Sequence, residues 1–530
     1  MDEQQQPIAK IAPKVQEAQW TSEDRWRGAP VERPKETGVE KEKVPPTSRT
    51  QLSRLADYVL AATAEPVPEH IPEDGWEPIW SRNGLAGVQF EANHTWSANQ
   101  MVSRFGNEIR YCSTLGRWLI WKGGSWQQDS KGEIDGMAEL TRQAIRREGN
   151  SRHSDEIKKW AVRLGNAGNL NGMVDVAKTI QRTVVTTTEL DKDPLLFDCK
   201  NGTIDLRTGK LRAHRREDLL TKVSPVEYDG LAPCPTWKAF LDQILRDDQK
   251  VISYLQQILG YTLTGSVTEK ALFIFWGPKD TGNTTLVEVF RYIMGQYEGS
   301  VDIKSLLHGA SSTEQQQTTA RTVGKRYVTA SEVAKGKRLD EATMKQLTGM
   351  GKQIGKVLYK DIVDFQPEFK LFIDANHKPE VKDEAIWNRI HLVPFGVSIP
   401  KDKQDRHLRE QLIAEAPGIL AWAVEGCLAW QKAKGLFMPA TVREAVTSYQ
   451  EEMDPTERWI NECCQREPGA KAVFSDLYSS YVDYCKHLEL PTIPAEKAFA
   501  QQLDEKGFDR RRGTGGTAMR LGLVLKTPVT

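Results

Sequence analysis

Residues 272–286 read Leu-Phe-Ile-Phe-Trp-Gly-Pro-Lys-Asp-Thr-Gly-Asn-Thr-Thr-Leu. An apolar strand, Phe273–Trp276, runs into the loop Gly277–Gly282, and the spacing then predicts a helix over Thr285–Met294. The pattern G-x-x-x-x-G-K-[ST] is met at Gly277, Gly282 and Thr284, with Asn283 in the lysine's place. Glycines at these positions let backbone N–H groups converge on phosphate oxygens, and the following helix presents its positive end. Gly277, Pro278, Lys279, Asp280, Thr281, Gly282, Asn283, Thr284 and Thr285 are therefore the candidate nucleotide-binding residues, with Thr284 placed to offer Mg²⁺ a hydroxyl. The alternative is a structural turn. Asparagine donates a hydrogen bond but carries no charge, so its cost to phosphoryl transfer is on the order of 3–4 kcal/mol, by analogy with loss of one oxyanion donor. Lys279 either reaches the phosphates from another angle or is a solvated loop lysine.

Three further segments follow in order. Arg326–Ala330 reads as a strand ending in Ser331-Glu332, and a carboxylate at a strand end beside a phosphate loop suits Mg²⁺ binding or water activation. Phe369–Ile373 reads as a strand ending in Asp374-Ala375-Asn376, where Asn376 can orient the attacking water. Arg389 precedes a strand at Ile390–Pro394. Singly, each such acid, amide or arginine is more often structural; in this order after a phosphate loop, Glu332, Asn376 and Arg389 are the candidate catalytic residues, and Thr284 with Glu332 the candidate metal pair.

Composition leaves room for this chemistry without announcing it. The 530 residues suffice for three or four domains. Lys+Arg and Asp+Glu both total 72, so nucleic-acid contact must come from local patches. Seven cysteines with no C-x-x-C pair argue against a zinc site or a disulfide framework. No apolar run approaches the roughly 18 residues that span a bilayer, and the N-terminus lacks the pattern of a signal peptide; a cytoplasmic protein with no membrane partner is expected.

Residues 1–85 hold ten of the 26 prolines and are rich in Glu, Lys and Gln, which predicts a disordered tail. Only Gln51–Thr63 shows helical spacing there. Arg110–Trp126 reads as two strands, Glu133–Arg147 and Ser154–Leu164 as helices, and Asn201–Arg212 as a hairpin turning at Thr208-Gly209. Trp237–Leu245 and Lys250–Leu263 are amphipathic helices. From Glu269 to about Trp430 strands and helices alternate, predicting a mostly parallel α/β sheet. Helices dominate to about Asp504, and a charged strand pair follows at Gly507–Lys526. The expected domains are a tail at 1–85, an α+β domain at 86–265, a motor at 266–430, and a helical linker with a small terminal domain at 431–530.

Taken together these stretches resemble superfamily-three helicases of the phage/plasmid primase-helicase type, related to the poxvirus primase-helicase. The likeness covers roughly Phe105 to Leu525. It rests on Asn201–Leu206, Gly260–Gly265, the phosphate loop, Ala330–Glu332, Lys345–Gly349, Leu358–Asp361, Ala375–Pro379 and Trp387–Phe395. The resemblance implies an AAA+-like phosphate-loop motor in a ring, usually a hexamer, with ATP between subunits. Glu332 would be the acidic strand-end residue, Asn376 the sensor, and Arg389 an arginine finger reaching a neighbour's ATP. Gln353–Lys370 resembles the hairpin that grips DNA in the ring channel, with Lys356 and Lys360 as phosphate contacts or parts of an ordinary polar turn. Residues 454–526 resemble a winged-helix domain, with Arg510, Arg511 and Arg512 on its wing facing DNA or simply solvated. The chain departs from the family at Asn283, Lys279 and Thr281, at Met350-Gly351, and at Gly355-Lys356; these changes cluster in the motor.

The expected function is ATP- and Mg²⁺-dependent unwinding for replication of a phage, plasmid or integrated element. It would use single-stranded and origin or fork DNA in a bacterial host cytoplasm, with a primase or polymerase in trans. The alternative is an ATPase-impaired DNA-binding ring or scaffold for replication initiation. A third reading is a chaperone-like NTPase, which gives no reason for the hairpin lysine or the terminal arginines.

Overall fold

The computed structural model describes residues 89–351, 353–356, 362–488, 493–513 and 516–526. The expected disordered tail and the helix at Gln51–Thr63 lie outside them. By contact the chain divides after Tyr58, and everything described falls in the second unit.

The first described layer is α+β. Helix α1 (His94–Phe105) is followed by β1 (Ile109–Cys112), β2 (Arg117–Lys122) and β3 (Ser125–Gln128), then α2 (Glu133–Ser151), α3 (Asp155–Leu164), α4 (Ala167–Ala177) and β4 (Val184–Val185). Side chains of Asn93, Ser154 and Asn166 cap α1, α3 and α4. The sheet order is β3-β2-β1-β4, with β1 and β4 parallel. Arg110–Trp126 thus contributes to three strands rather than two, because Lys122–Ser125 makes a second tight turn that pairs Trp121 with Trp126. Helix α4 was illegible because Gly168 and Gly172 dilute its apolar spacing.

A small antiparallel sheet follows, β5 (Leu196–Cys199), β6 (Gly202–Asp205) and β7 (Lys210–Arg212), the last two forming the expected hairpin. Helices α5 (Pro235–Ile244) and α6 (Gln249–Leu263) lead to the motor.

The motor comprises β8 (Leu272–Trp276), α7 (Asn283–Met294), β9 (Glu298–Ser300), α8 (Ser312–Arg321), β10 (Tyr327–Ser331), α9 (Glu341–Leu347), β11 (Gln353–Lys356), β12 (Ile362–Phe365), β13 (Lys370–Ala375), α10 (Glu384–Trp387) and β14 (Ile390–Pro394). Five of these strands form an all-parallel sheet in the order β14-β8-β13-β10-β9. Strand β8 reads as a continuous apolar run because both its faces are covered. Phe273 and Phe275 enter one core with Leu286, Phe290 and Trp237, while Leu272 and Ile274 enter another with Met344, Ile386 and Tyr449. The first motor strand lies between two later ones, β13 and β14. That reversal opens a crevice at the strands' carboxyl ends, where ligands of such sheets bind.

Three helices close the motor: α11 (Leu408–Ala414), α12 (Ala416–Ala433) and α13 (Ala440–Met453). Helix α13, in the segment expected as a linker, seats Tyr449 in the second motor core. Helix α12 lies against α6 where Gly260 meets the backbone of Ala423, Gly426 and Cys427. A Cβ at Gly260 would overlap those atoms. Gly260→Ala is therefore expected to lower stability by about 3 kcal/mol, read as a lower urea midpoint with an unchanged slope.

Two buried cations bind the small sheet and the α6 end to the motor. Arg326, 1% exposed, donates to the carbonyls of Leu196 (2.8 Å) and Leu263 (2.7 Å) and stacks on Tyr297. Lys370 donates to the carbonyl of Thr264 and lies over the Tyr261 ring, and burial pushes its ammonium well below the usual lysine range.

The terminal unit runs α14 (Pro455–Cys463), β15 (Cys464–Val473), α15 (Phe474–His487), α16 (Glu496–Glu505), β16 (Arg510–Arg512) and β17 (Ala518–Leu525). Its sheet order is β15-β17-β16, all antiparallel, over a core of Trp459, Tyr481, Phe499 and Leu523. The expected strand pair is present, and β15 adds one strand to the helix-dominated stretch before Asp504. Pro468-Gly469 disguised that strand as a turn, and they fall where its register against β17 shifts. Among the described residues no single helix is long and apolar enough to cross a membrane.

Candidate nucleotide site

The loop Gly277–Gly282 leaves β8 at the carboxyl edge of the sheet. The Gly277 N–H donates to Ala375 O of β13 (3.3 Å), and Phe395 N–H donates to Trp276 O (2.7 Å), so both neighbouring strands hold the loop's root. Its outer side is pinned by Ile399 N–H on Asp280 O (2.8 Å) and by Ser398 Oγ on Lys279 O (2.7 Å). Gly282 has φ +84°, and a Cβ there would come within 2.8 Å of Ile244. Helix α7 then starts with no side-chain cap, which leaves its first-turn N–H groups for an anion. Pro278, Lys279 and Asp280 are exposed, Thr281 is buried and Thr285 is half-buried.

Asn283 is not aimed at solvent. It is 4% exposed, accepts from Thr281 Oγ1 (2.9 Å) and donates to Asp374 Oδ1 (2.6 Å). Thr284 Oγ1 donates to the other oxygen, Asp374 Oδ2, at 3.0 Å. Burial raises the Asp374 carboxyl above its usual range; the Thr284 and Asn283 hydrogen bonds oppose the rise and Glu288 adds to it. A hydroxyl and a carboxylate this close, at a helix N-terminus, are hard oxygen donors that fit Mg²⁺. Among the described residues no group of three or more His, Cys, Asp or Glu forms a metal cluster, so a cation here would complete its shell with water and phosphate.

The expected pairing of Thr284 with Glu332 is not what the structure joins: the Thr284 hydroxyl meets Asp374. The cause is strand order. Ser331 of β10 is level with Asp374 of β13, which is level with Phe275 of β8. Glu332 thus stands two strands, about 10 Å, from the loop's strand. It is exposed, has φ +67°, and lines a cleft of about 430 Å³ with Arg291, Ser300, Asp302 and Lys304. A left-handed glutamate costs on the order of 1 kcal/mol.

Asn376 is exposed just past β13, on the loop's side of the sheet. Beside it, Lys378 lies over the Trp276 ring at 4.2 Å and pairs with Glu452 of α13 at 2.7 Å, which ties the helix entering the terminal unit to the loop's strand. Arg389 sits at the other edge. Its carbonyl accepts from Leu272 N–H at the start of β8, and its Nη1 donates to Thr348 Oγ1 at 3.0 Å. It is separated from its own loop by the length of β8, about 16 Å.

Lys356 ends β11, paired across the hairpin with Ile362; Lys360 lies outside the described residues. Arg510, Arg511 and Arg512 are all exposed, but Arg510 is engaged by Asp504, its Nε donating at 3.0 Å. A larger cleft of about 1030 Å³, lined by Arg117, Lys222, Gln296 and Glu368 among others, shares no residue with the loop, and its Lys222 is paired to Asp191.

Comparison with known proteins bears out the resemblance to phage-type primase-helicases. A family model described as "D5 N terminal like" matches residues 98–246. A putative helicase, L207/L206, of Acanthamoeba polyphaga mimivirus is 25% identical over 453 residues, covering 76% of this chain and 47% of that protein. The putative helicase 022R of Frog virus 3 (isolate Goorha) is 23% identical over 381 residues, covering 56% of this chain and 39% of that protein. The chain thus spans about half or less of the length of these curated relatives. Among solved structures, the apo NrS-1 C terminal region aligns with TM-score 0.48 and 10% identity, over 82% of this chain and 100% of that one.

Proposed function

We propose that the chain is the motor portion of a DNA helicase that binds Mg·ATP at Gly277–Thr285 and works as a ring, a hexamer in the family it resembles. One observation carries this reading: the loop leaves a strand flanked by two later parallel strands and feeds an uncapped helix whose Thr284 hydroxyl meets a carboxylate. In this reading the loop and α7 N–H groups hold the phosphates, and Thr284 with Asp374 holds the cation. Glu332 and Asn376 act on the attacking water, and Arg389 serves the loop of an adjacent subunit. Magnesium, when bound, neutralises charge on the phosphate oxygens.

The β11–β12 hairpin supports a DNA-gripping role through Lys356 and Lys360. The terminal unit's helix–strand–helix–helix–strand–strand order supports a winged helix, with Arg511 and Arg512 on the strand before the wing. The partners in this reading are single-stranded DNA, origin or fork DNA, and a primase or polymerase supplied in trans.

A second reading is favoured by Asn283. Its amide bridges Thr281 and Asp374, so the place of the usual ammonium holds a neutral group. This favours an ATPase-impaired ring that still binds DNA. The deciding experiment measures ATP hydrolysis and single-stranded DNA affinity on the same preparation, with particle mass from light scattering. The motor reading expects DNA-stimulated turnover. The impaired-ring reading expects a ring that binds DNA with strong salt dependence and no turnover. A monomer that binds neither ligand overturns both. In either, Lys360→Glu is expected to weaken DNA binding across sequences and lower the salt slope by about 0.7.

A further inference from the structure

We propose that the α+β domain carries a nucleic-acid contact of its own, outside the motor: a patch of Arg110, Arg182 and Arg216 around Trp121 that takes the backbone and a base of a single strand. The inference goes beyond the motor reading, because the patch shares no residue with the phosphate loop, the β11–β12 hairpin or the terminal arginines.

Three segments meet at the β3-β2-β1-β4 sheet. Trp121 and Trp126 stand opposite each other on β2 and β3, edge to face, with ring centroids 5.4 Å apart. The Arg110 guanidinium of β1 lies 4.6 Å over the Trp126 ring. The Trp126 indole N–H donates to Arg216 O (2.9 Å), and the Arg216 guanidinium lies 5.6 Å over Trp121. Tyr111 N–H donates to Thr183 O (2.6 Å), which sets the exposed Arg182 beside Arg110. The polar partners of these arginines are neutral. Arg110 Nη1 donates to the carbonyls of Gly106 (2.5 Å) and Ile109 (2.7 Å), and Arg182 Nη2 donates to Asn107 Oδ1 (2.6 Å). Arg216 Nε is buried with no hydrogen-bond partner. Among the described residues none of the three is ion-paired with a carboxylate. Burial, Arg182 and Arg216 hold the Arg110 guanidinium below the usual arginine range, against the opposing charge of the exposed Glu217. Like charges gathered without a counter-ion repel, and an anion among them removes that cost. The patch is open: Arg182 is exposed, and Arg110, Trp121 and Arg216 are half-buried. An open patch suits a chain better than a free nucleotide. Indole rings and guanidinium planes among cations serve an unstacked base and its phosphates, whereas a duplex keeps its bases stacked on one another.

The test is binding of short fluorescent oligo-dT, oligo-rU and a DNA duplex to the full chain, without ATP and over a range of salt. It is run in the unsubstituted chain and in Lys360→Glu, which removes the hairpin contact. In both backgrounds the double variant Arg182→Ala with Arg216→Ala is expected to bind single strands about tenfold or more weakly, with a salt slope lower by about 1.4, two phosphate contacts at about 0.7 each. Trp121→Ala should weaken binding by about tenfold and leave the slope in place, as loss of one stacked base does. Either strand bound in this way supports the inference, and the tighter of the two identifies its source. The inference is overturned if the double variant keeps the affinity and slope of its background, if it weakens duplex binding as much as single-strand binding, or if Lys360→Glu alone removes all binding. Displacement of the strand by inorganic phosphate, with no effect of Trp121→Ala, would make the patch a plain anion site and overturn it too. Urea midpoints identify an unfolded variant, in which case the exposed Arg182, changed singly to alanine, still decides through a slope lower by about 0.7. A folded parent that binds no single strand at low salt sinks the helicase reading as well; every other negative outcome sinks only this inference.

Discussion

Replacing Asn283 by lysine is expected to raise ATP turnover by two to three orders of magnitude, the scale on which one preorganised donor acts on a developing charge, about 3–4 kcal/mol. The structure gives the substitution a definite place to act. Residue 283 opens α7, lies 4% exposed between Thr281 and Asp374, and already reaches Asp374 with its short amide. A lysine there carries its ammonium past that point toward the mouth of the loop. It would pair with Asp374 in the empty loop and with phosphate in the filled one. The measurement is steady-state hydrolysis at saturating Mg·ATP with and without single-stranded DNA, beside the unsubstituted chain. Equal rates in the two proteins, with nucleotide bound in both, would show that the lysine's role is filled elsewhere. In that case Lys279→Ala should abolish the turnover that Asn283→Ala spares.

How much of this was legible follows from which signals are local. The strand Leu272–Trp276, its loop and α7 were readable to within a residue or two, because an apolar run, two glycines and a helical stripe are adjacent in the chain. The strand pair β16–β17 was readable for the same reason, whereas the hairpin β11–β12 came only from the family resemblance. Strand order was not. Nothing in the spacing of β8, β10 and β13 says that β13 is the one that pairs with β8, yet that choice brings Asp374 to Thr284 across 90 residues and leaves Glu332 two strands off. Asp374 was in plain view at the end of an expected strand and passed as a strand terminus. Its role depends on a neighbour no sequence window contains. Arg389 shows the converse. Its place before a strand was local and readable, whereas its distance from its own loop is a consequence of parallel pairing. Lys378 needed the fold as well, since both Trp276 and Glu452 reach it from distant segments.

That position of Arg389 carries the second large expectation. In the turnover-competent Asn283→Lys background, Arg389→Ala should cut hydrolysis by about 10³-fold or more, the range of a supplied arginine. The fold should hardly notice, because the side chain's hydrogen bond to Thr348 Oγ1 is worth only about 1 kcal/mol. Arg389 stands at the amino end of β14 and its own loop at the carboxyl end of β8, and these strands are parallel neighbours. Within one subunit the guanidinium cannot cross that length of sheet; in a head-to-tail ring, one subunit's amino edge can face the next subunit's carboxyl edge. Mixing therefore decides the matter. Arg389→Ala and Glu332→Gln subunits should each be inactive alone. Combined and reassembled in equal amounts, they should regain activity at roughly a quarter of the interfaces, those where an intact loop meets an intact arginine. A mixture as inactive as its components, with mixed particles verified by mass, would return Arg389 to a structural role at the Thr348 contact.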